Sequence, residues 1–145
     1  MKAFAIAAIS IVATSAFAAS LPTVGELEIG TDYDTPTCDV GVEGKSAIFA
    51  APYDLQPMMK LDGRLVSFKL ATGATDLWDY QKQDQAIDTT YVSEEGLSLR
   101  IQGQIDDACE ADEEGCEYVT MKVKATLTNG EETRVMENLV GGCGV

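Results

Sequence analysis

The 145-residue chain contains no histidine. That removes every mechanism needing an imidazole: Ser-His-Asp and Cys-His triads, histidine-ligated zinc, and a side-chain proton shuttle near neutral pH. Basic residues are scarce too, ten Lys and Arg against 24 Asp and Glu, for a formal charge of −14. Nucleic acid is excluded as a partner on that balance, because its phosphates demand clustered cations. Tryptophan occurs once and proline four times. Beyond the first 18 residues no apolar run approaches the ~20 residues of a membrane-spanning helix, so no membrane span is expected.

What is present starts with an export pattern. Lys2 gives a positive beginning, residues 3–12 are apolar except for Ser10, and Ala16-Phe17-Ala18 is the small-x-small pattern that signal peptidase accepts. The run is too short to cross ~30 Å of hydrocarbon. Residues 1–18 therefore read as a signal peptide, and a soluble periplasmic or extracellular product is expected. Such a compartment is oxidising, which makes two disulfides of Cys38, Cys109, Cys116 and Cys143. The favoured pairing is Cys109–Cys116, across a short loop, with Cys38–Cys143 tying the beginning of the mature chain to its end. Zinc is disfavoured, since there is neither a CxxC knuckle nor a histidine.

Alternation dominates the rest. Val66, Phe68 and Leu70 fall on every second position, and Asp62-Gly63 joins them to Met58-Met59-Lys60-Leu61 through a strong two-residue hairpin signal. Parity then sets Leu61 opposite Arg64, Met59 opposite Val66 and Leu55 opposite Leu70. Leu97, Leu99, Ile101 and Ile105 form a second alternating run, answered by Val119, Met121, Val123, Ala125 and Leu127. At Asn129-Gly130 the burial pattern favours a three-residue loop that pairs Val123 with Val135 and Val119 with Leu139. Residues 47–51 and 87–92 are further strand candidates, and residues 76–86 suit a helical turn or an irregular crossover. Residues 19–45, with Pro22, Pro36 and four glycines, read as an extended arm preceding a single β domain over 46–145. About six to eight short strands in one domain point to a mainly β fold, a small disulfide-stabilised antiparallel barrel or sandwich.

Two constellations stand out. Residues 106–117 hold seven acids and no base: Asp106, Asp107, Glu110, Asp112, Glu113, Glu114 and Glu117. The stretch fails the calcium-loop template, since from Asp107 the third and fifth positions are Cys109 and Ala111. Its roles are therefore those of a solvated hairpin tip first, a dock for a basic partner second, and a calcium loop last. The second constellation is Asp76-Leu77-Trp78-Asp79-Tyr80, where Trp78 and Tyr80 could anchor a partner or simply fill the core. Nothing in the spacing selects a catalytic pair from 24 acids, so no catalytic residue, metal ligand or cofactor is assigned.

The hairpin Met-Met-Lys-Leu-Asp-Gly-Arg-Leu-Val-Ser-Phe, the cysteine-bounded loop and the closing Gly-Gly-Cys-Gly resemble a loose group of small exported bacterial β-proteins of uncharacterised function. The resemblance runs from about residue 47 onward and implies export, a β domain and structural disulfides. The general plan also resembles periplasmic lysozyme inhibitors of the small β-barrel kind, although their tyrosine, lysine and serine motifs have no counterpart here. That resemblance implies a cysteine-bridged module binding a basic enzyme. The expected function is accordingly a non-enzymatic domain presenting Asp106, Asp107, Glu110, Asp112, Glu113, Glu114, Trp78 and Tyr80 to a basic envelope protein. An envelope-assembly component and a carboxylate hydrolase of envelope sugars are the alternatives.

Overall fold

The structure, a computed structural model, describes residues 20–108 and 118–144. The expected signal peptide, the Cys109–Cys116 pairing and residues Glu110, Asp112, Glu113 and Glu114 lie outside the described residues. Nine strands are described: β1 (Val24–Gly25), β2 (Thr37–Val42), β3 (Ala47–Pro52), β4 (Met58–Leu61), β5 (Arg64–Leu70), β6 (Ala86–Ser93), β7 (Leu97–Asp107), β8 (Tyr118–Asn129) and β9 (Glu132–Gly144). From β2 onward each strand pairs antiparallel with the next, and β9 pairs with β2. The result is a closed eight-stranded up-and-down barrel, which settles barrel against sandwich. Closure leaves the eight strands without a free edge at β2 and β9, the two that a flat meander would expose.

Eight strands enclose a space that side chains can just fill, and this barrel fills it. Phe49, Met59, Leu61, Phe68, Tyr91, Leu99, Ile101, Met121 and Leu127 are among its fully buried residues. The rings of Phe49 and Tyr91 meet with centroids 5.0 Å apart. The alternation read from the sequence is this inward face: along β7 and β8, Leu97, Leu99, Ile101, Ile105, Met121, Val123, Ala125 and Leu127 are all buried. β3 is buried at all six positions instead. Its outer side is covered by the chain preceding β2, where Leu27 and Tyr33 pack on Ala50 and Met58 in a small second core. The Leu27 amide donates to the Ala47 carbonyl at 2.8 Å, and Lys60 pairs with Asp32 at 3.3 Å. That is why Ala-Ile-Phe-Ala-Ala-Pro shows no alternation.

The Asp62-Gly63 hairpin has the expected register, with Leu61 opposite Arg64 and Met59 opposite Val66. Both turn residues have positive φ, 50° and 78°, as a type I′ turn requires. Three expectations are corrected. Leu55 does not face Leu70: it sits in the β3–β4 turn, 49% exposed, because Pro57 lacks an amide and β4 starts only at Met58. The arm ends earlier than residue 45, since Thr37–Val42 is β2 and belongs to the barrel wall. The β8–β9 turn is Gly130-Glu131, a two-residue loop that sets Asn129 opposite Glu132 and Ala125 opposite Met136. A bulge then places Val123 opposite Leu139 and Val119 opposite Cys143, with Asn138 in the left-handed region at φ 56°. The extra residue demanded by the burial pattern thus lies inside β9 rather than at the tip.

Candidate functional site

In an up-and-down barrel, alternate connections share an end. The β3–β4 turn, the long β5–β6 crossover and the β7–β8 connection therefore gather at one end, together with the start of β2 and the close of β9. This is also the end held by the disulfide. Cys38 and Cys143 face each other across β2 and β9 and are bonded, with Cα atoms 4.0 Å apart.

The crossover closes this mouth with one 3-10 turn, Leu77–Asp79. Leu77 is fully buried among the barrel residues, and its carbonyl oxygen lies 3.8 Å from Cys143 Sγ. Asp76 caps the turn, accepting from the Trp78 amide at 3.2 Å, and is held in turn by the buried Tyr91 hydroxyl, which donates to it at 3.1 Å. The same hydroxyl accepts from the Leu77 amide at 3.0 Å. Burial pushes the Tyr91 phenol well above its ordinary pKa, so it remains a donor. Further along, Gln83 grips the root of the acidic connection with both ends of its amide: Nε2 donates to the Asp106 carbonyl at 2.6 Å, and Oε1 accepts from the Ala108 amide at 2.9 Å.

The two constellations singled out in the sequence are therefore neighbours. Asp106 and Asp107 end β7 in exposed positions, and Lys122 reaches Asp106 at 3.6 Å. Trp78 is half-buried against the core, with its indole N–H donating to the Ala51 carbonyl at 3.0 Å. Tyr80 is not at the surface: it is buried, with its hydroxyl donating to the Asp88 carbonyl at 2.9 Å, and it serves the core. The most exposed aromatic described at this end is Tyr53, 79% accessible, standing edge-on to Trp78 with centroids 5.9 Å apart. Sequence reading passed over Tyr53 because Pro52 and Asp54 flank it like any turn residue. Asp54 and Asp79, next in sequence to the two rings, are exposed.

A second feature lies on the outer wall just below. Asp39, on β2, faces Gly142 of β9, and Tyr118 fills the space where a side chain of Gly142 would stand. An open groove of about 560 Å³ passes here, lined in part by Asp39, Tyr118, Thr120, Lys122 and Asp106. Burial raises the Asp39 carboxyl above the usual carboxylate range. Burial and the Asp39 charge raise the Tyr118 phenol, and burial with the charges of Asp39 and Asp32 pushes Tyr33 up to about 12. The folded chain thus binds the Asp39 proton more tightly than the unfolded chain. Stability falls as the pH climbs from the ordinary Asp value of about 3.9 through the raised one. Asp39→Asn is expected to melt at a higher temperature than the parent at pH 7, with the gap closing near pH 3. Thermal unfolding at the two pH values checks this; an equal gap at both would rule out the charge as its cause.

Among the described residues, no helix is long and apolar enough to cross a membrane, and no group of three or more Cys, Asp or Glu is arranged to hold a metal ion. No protein-family model, curated protein or solved structure matches the chain.

Proposed function

We propose that the protein is an exported binding module whose disulfide-bearing barrel end docks a cationic protein. The observation carrying this reading is the convergence of charge at that end. Asp54, Asp76, Asp79 and Asp84 come from two connections and Asp106 and Asp107 from the end of β7, all at the barrel end that carries the Tyr53–Trp78 pair. Three bases elsewhere are paired with acids, Lys60 with Asp32, Arg64 with Glu95 and Arg100 with Asp88, while at this end Lys122 meets Asp106 alone. An end with this excess steers a basic surface toward it at low ionic strength and contributes specificity on contact. Export is supported by the leader pattern of residues 1–18 and by a disulfide of the kind that persists in oxidising compartments.

The test uses defined basic proteins, lysozyme among them, titrated against the mature chain at about 20 and 300 mM salt, ionic strengths on either side of a ~10 Å screening length. Binding that weakens steeply with salt is expected. Neutralising Asp106, Asp107, Glu110, Asp112, Glu113 and Glu114 to their amides should weaken it at least about tenfold, a loss of about 1.4 kcal/mol. Equal binding by the neutralised variant, or no binding at low salt, overturns the proposal.

A further inference from the structure

We infer that Tyr53 and Trp78 form the seat for an arginine side chain of the cationic partner, which deepens the proposal above and rests on it. The barrel core accounts for one side of Trp78 but not for the placement of Tyr53. Tyr53 leaves 79% of its surface in water, while the interior is already filled by other side chains. Trp78 is held in place at both ends of its residue: the amide donates to Asp76, and the indole N–H donates to Ala51. The two ring planes meet at 82°, so one ring presents a face while the other walls it. A planar cation laid on such a face is attracted by the ring quadrupole, and preset rings lose little entropy when it arrives.

The surrounding charge selects a cation over a neutral sugar. Asp54 follows Tyr53 and Asp79 follows Trp78, both carboxylates are exposed, and neither has an ion-pair partner among the described residues. The choice of arginine over lysine follows from shape and hydration. A guanidinium is flat, stacks on aromatic rings, is weakly hydrated, and keeps its N–H fork free for a carboxylate at the ring's edge. An ammonium is a strongly hydrated point charge that gains less from the ring. The acidic connection supplies long-range attraction to any basic surface, and the ring pair distinguishes which cation has arrived.

The probes are a nona-arginine and a nona-lysine peptide of equal charge, each end-labelled for anisotropy and titrated into the full mature chain at low salt. Trp78 is the sole tryptophan, so its emission reports directly from the proposed seat. Nona-arginine is expected to bind about fivefold more tightly than nona-lysine and to change the Trp78 emission, a ratio suited to one cation–π contact at a partly exposed site. Tyr53→Ala should bring nona-arginine down to the nona-lysine affinity and leave nona-lysine unchanged. Its unfolding midpoint, compared with the parent's, separates a lost seat from a damaged fold. Equal affinities for the two peptides, or an unaffected Tyr53→Ala variant, would overturn the arginine seat while leaving the cationic dock standing. Binding of neither peptide overturns both.

Discussion

The double variant Cys38→Ala, Cys143→Ala is expected to lose about 4.7 kcal/mol of stability, the largest effect of any substitution considered for this barrel. The bonded residues are 105 apart in sequence, so the bridge removes one of the longest loops the unfolded chain could otherwise explore. A domain of this size has ~5–15 kcal/mol in total, so most or all of its margin would go. Alanine is preferred to serine because Cys38 is fully buried, and a hydroxyl there would add its own desolvation cost. Reductant is a poorer test, because it acts on every cysteine at once. Urea unfolding of parent and variant, with slopes compared as well as midpoints, gives the answer. A variant within about 1 kcal/mol of the parent would show that the β2–β9 ladder closes the barrel unaided, at the strength of ordinary strand pairing.

Gly103→Ala should be the next most costly change, at about 3 kcal/mol, the upper end of what overpacking causes. Gly103 pairs with Val123 where β7 runs closely over β8. A Cβ placed there would collide with the Lys122 carbonyl oxygen and stand 2.7 Å from Val123 Cα and 2.9 Å from the Lys122 carbonyl carbon. All three are backbone atoms of a paired strand, so none can swing aside as a side-chain end could. The backbone of Gly103 does not have positive φ, unlike Gly130 at 61°, around which a Cβ would find open space. Gly130→Ala therefore makes an informative companion: its cost is conformational alone, about 1 kcal/mol. Thermal or urea unfolding of the pair separates strand contact from backbone strain, and a Gly103→Ala variant as stable as Gly130→Ala would refute the contact.

The parts of this fold visible in sequence are those where short-range chemistry leaves one solution. Asp62-Gly63 fixes a two-residue turn, and a turn of known length fixes the register of Met59 and Val66. The long alternation of β7 and β8 likewise declares its buried face. The β8–β9 register escaped because parity shows only that an extra residue is needed. Whether it sits at Gly130 or at Asn138 depends on how β9 must curve to reach β2, a property of the closed wall. β2 was hidden for a related reason: its inward residues are only Cys38 and Val40, between Pro36 and Gly41, and it is a strand because β3 and β9 flank it. At the candidate site, Trp78 and the acidic stretch were each visible. Their meeting was not: alternating strand directions put both connections at one end, but whether they are neighbours there depends on strand order, and periodicity does not distinguish a meander from a Greek key.

The closure of the wall by β9 against β2 also governs the order in which the bridge can form. Cys38 emerges from synthesis before Cys109 and Cys116, and both of those precede its native partner, Cys143. During that interval Cys38 meets two wrong thiols and no right one. Early capture of Cys109 by Cys116 would leave Cys38 waiting unpaired, whereas any earlier bond from Cys38 must be exchanged before the barrel can close, a reshuffling that takes seconds to hours without an isomerase's help. The bridge is therefore set by the last strand: Cys38 can take its native partner only once β9 has come to lie beside β2.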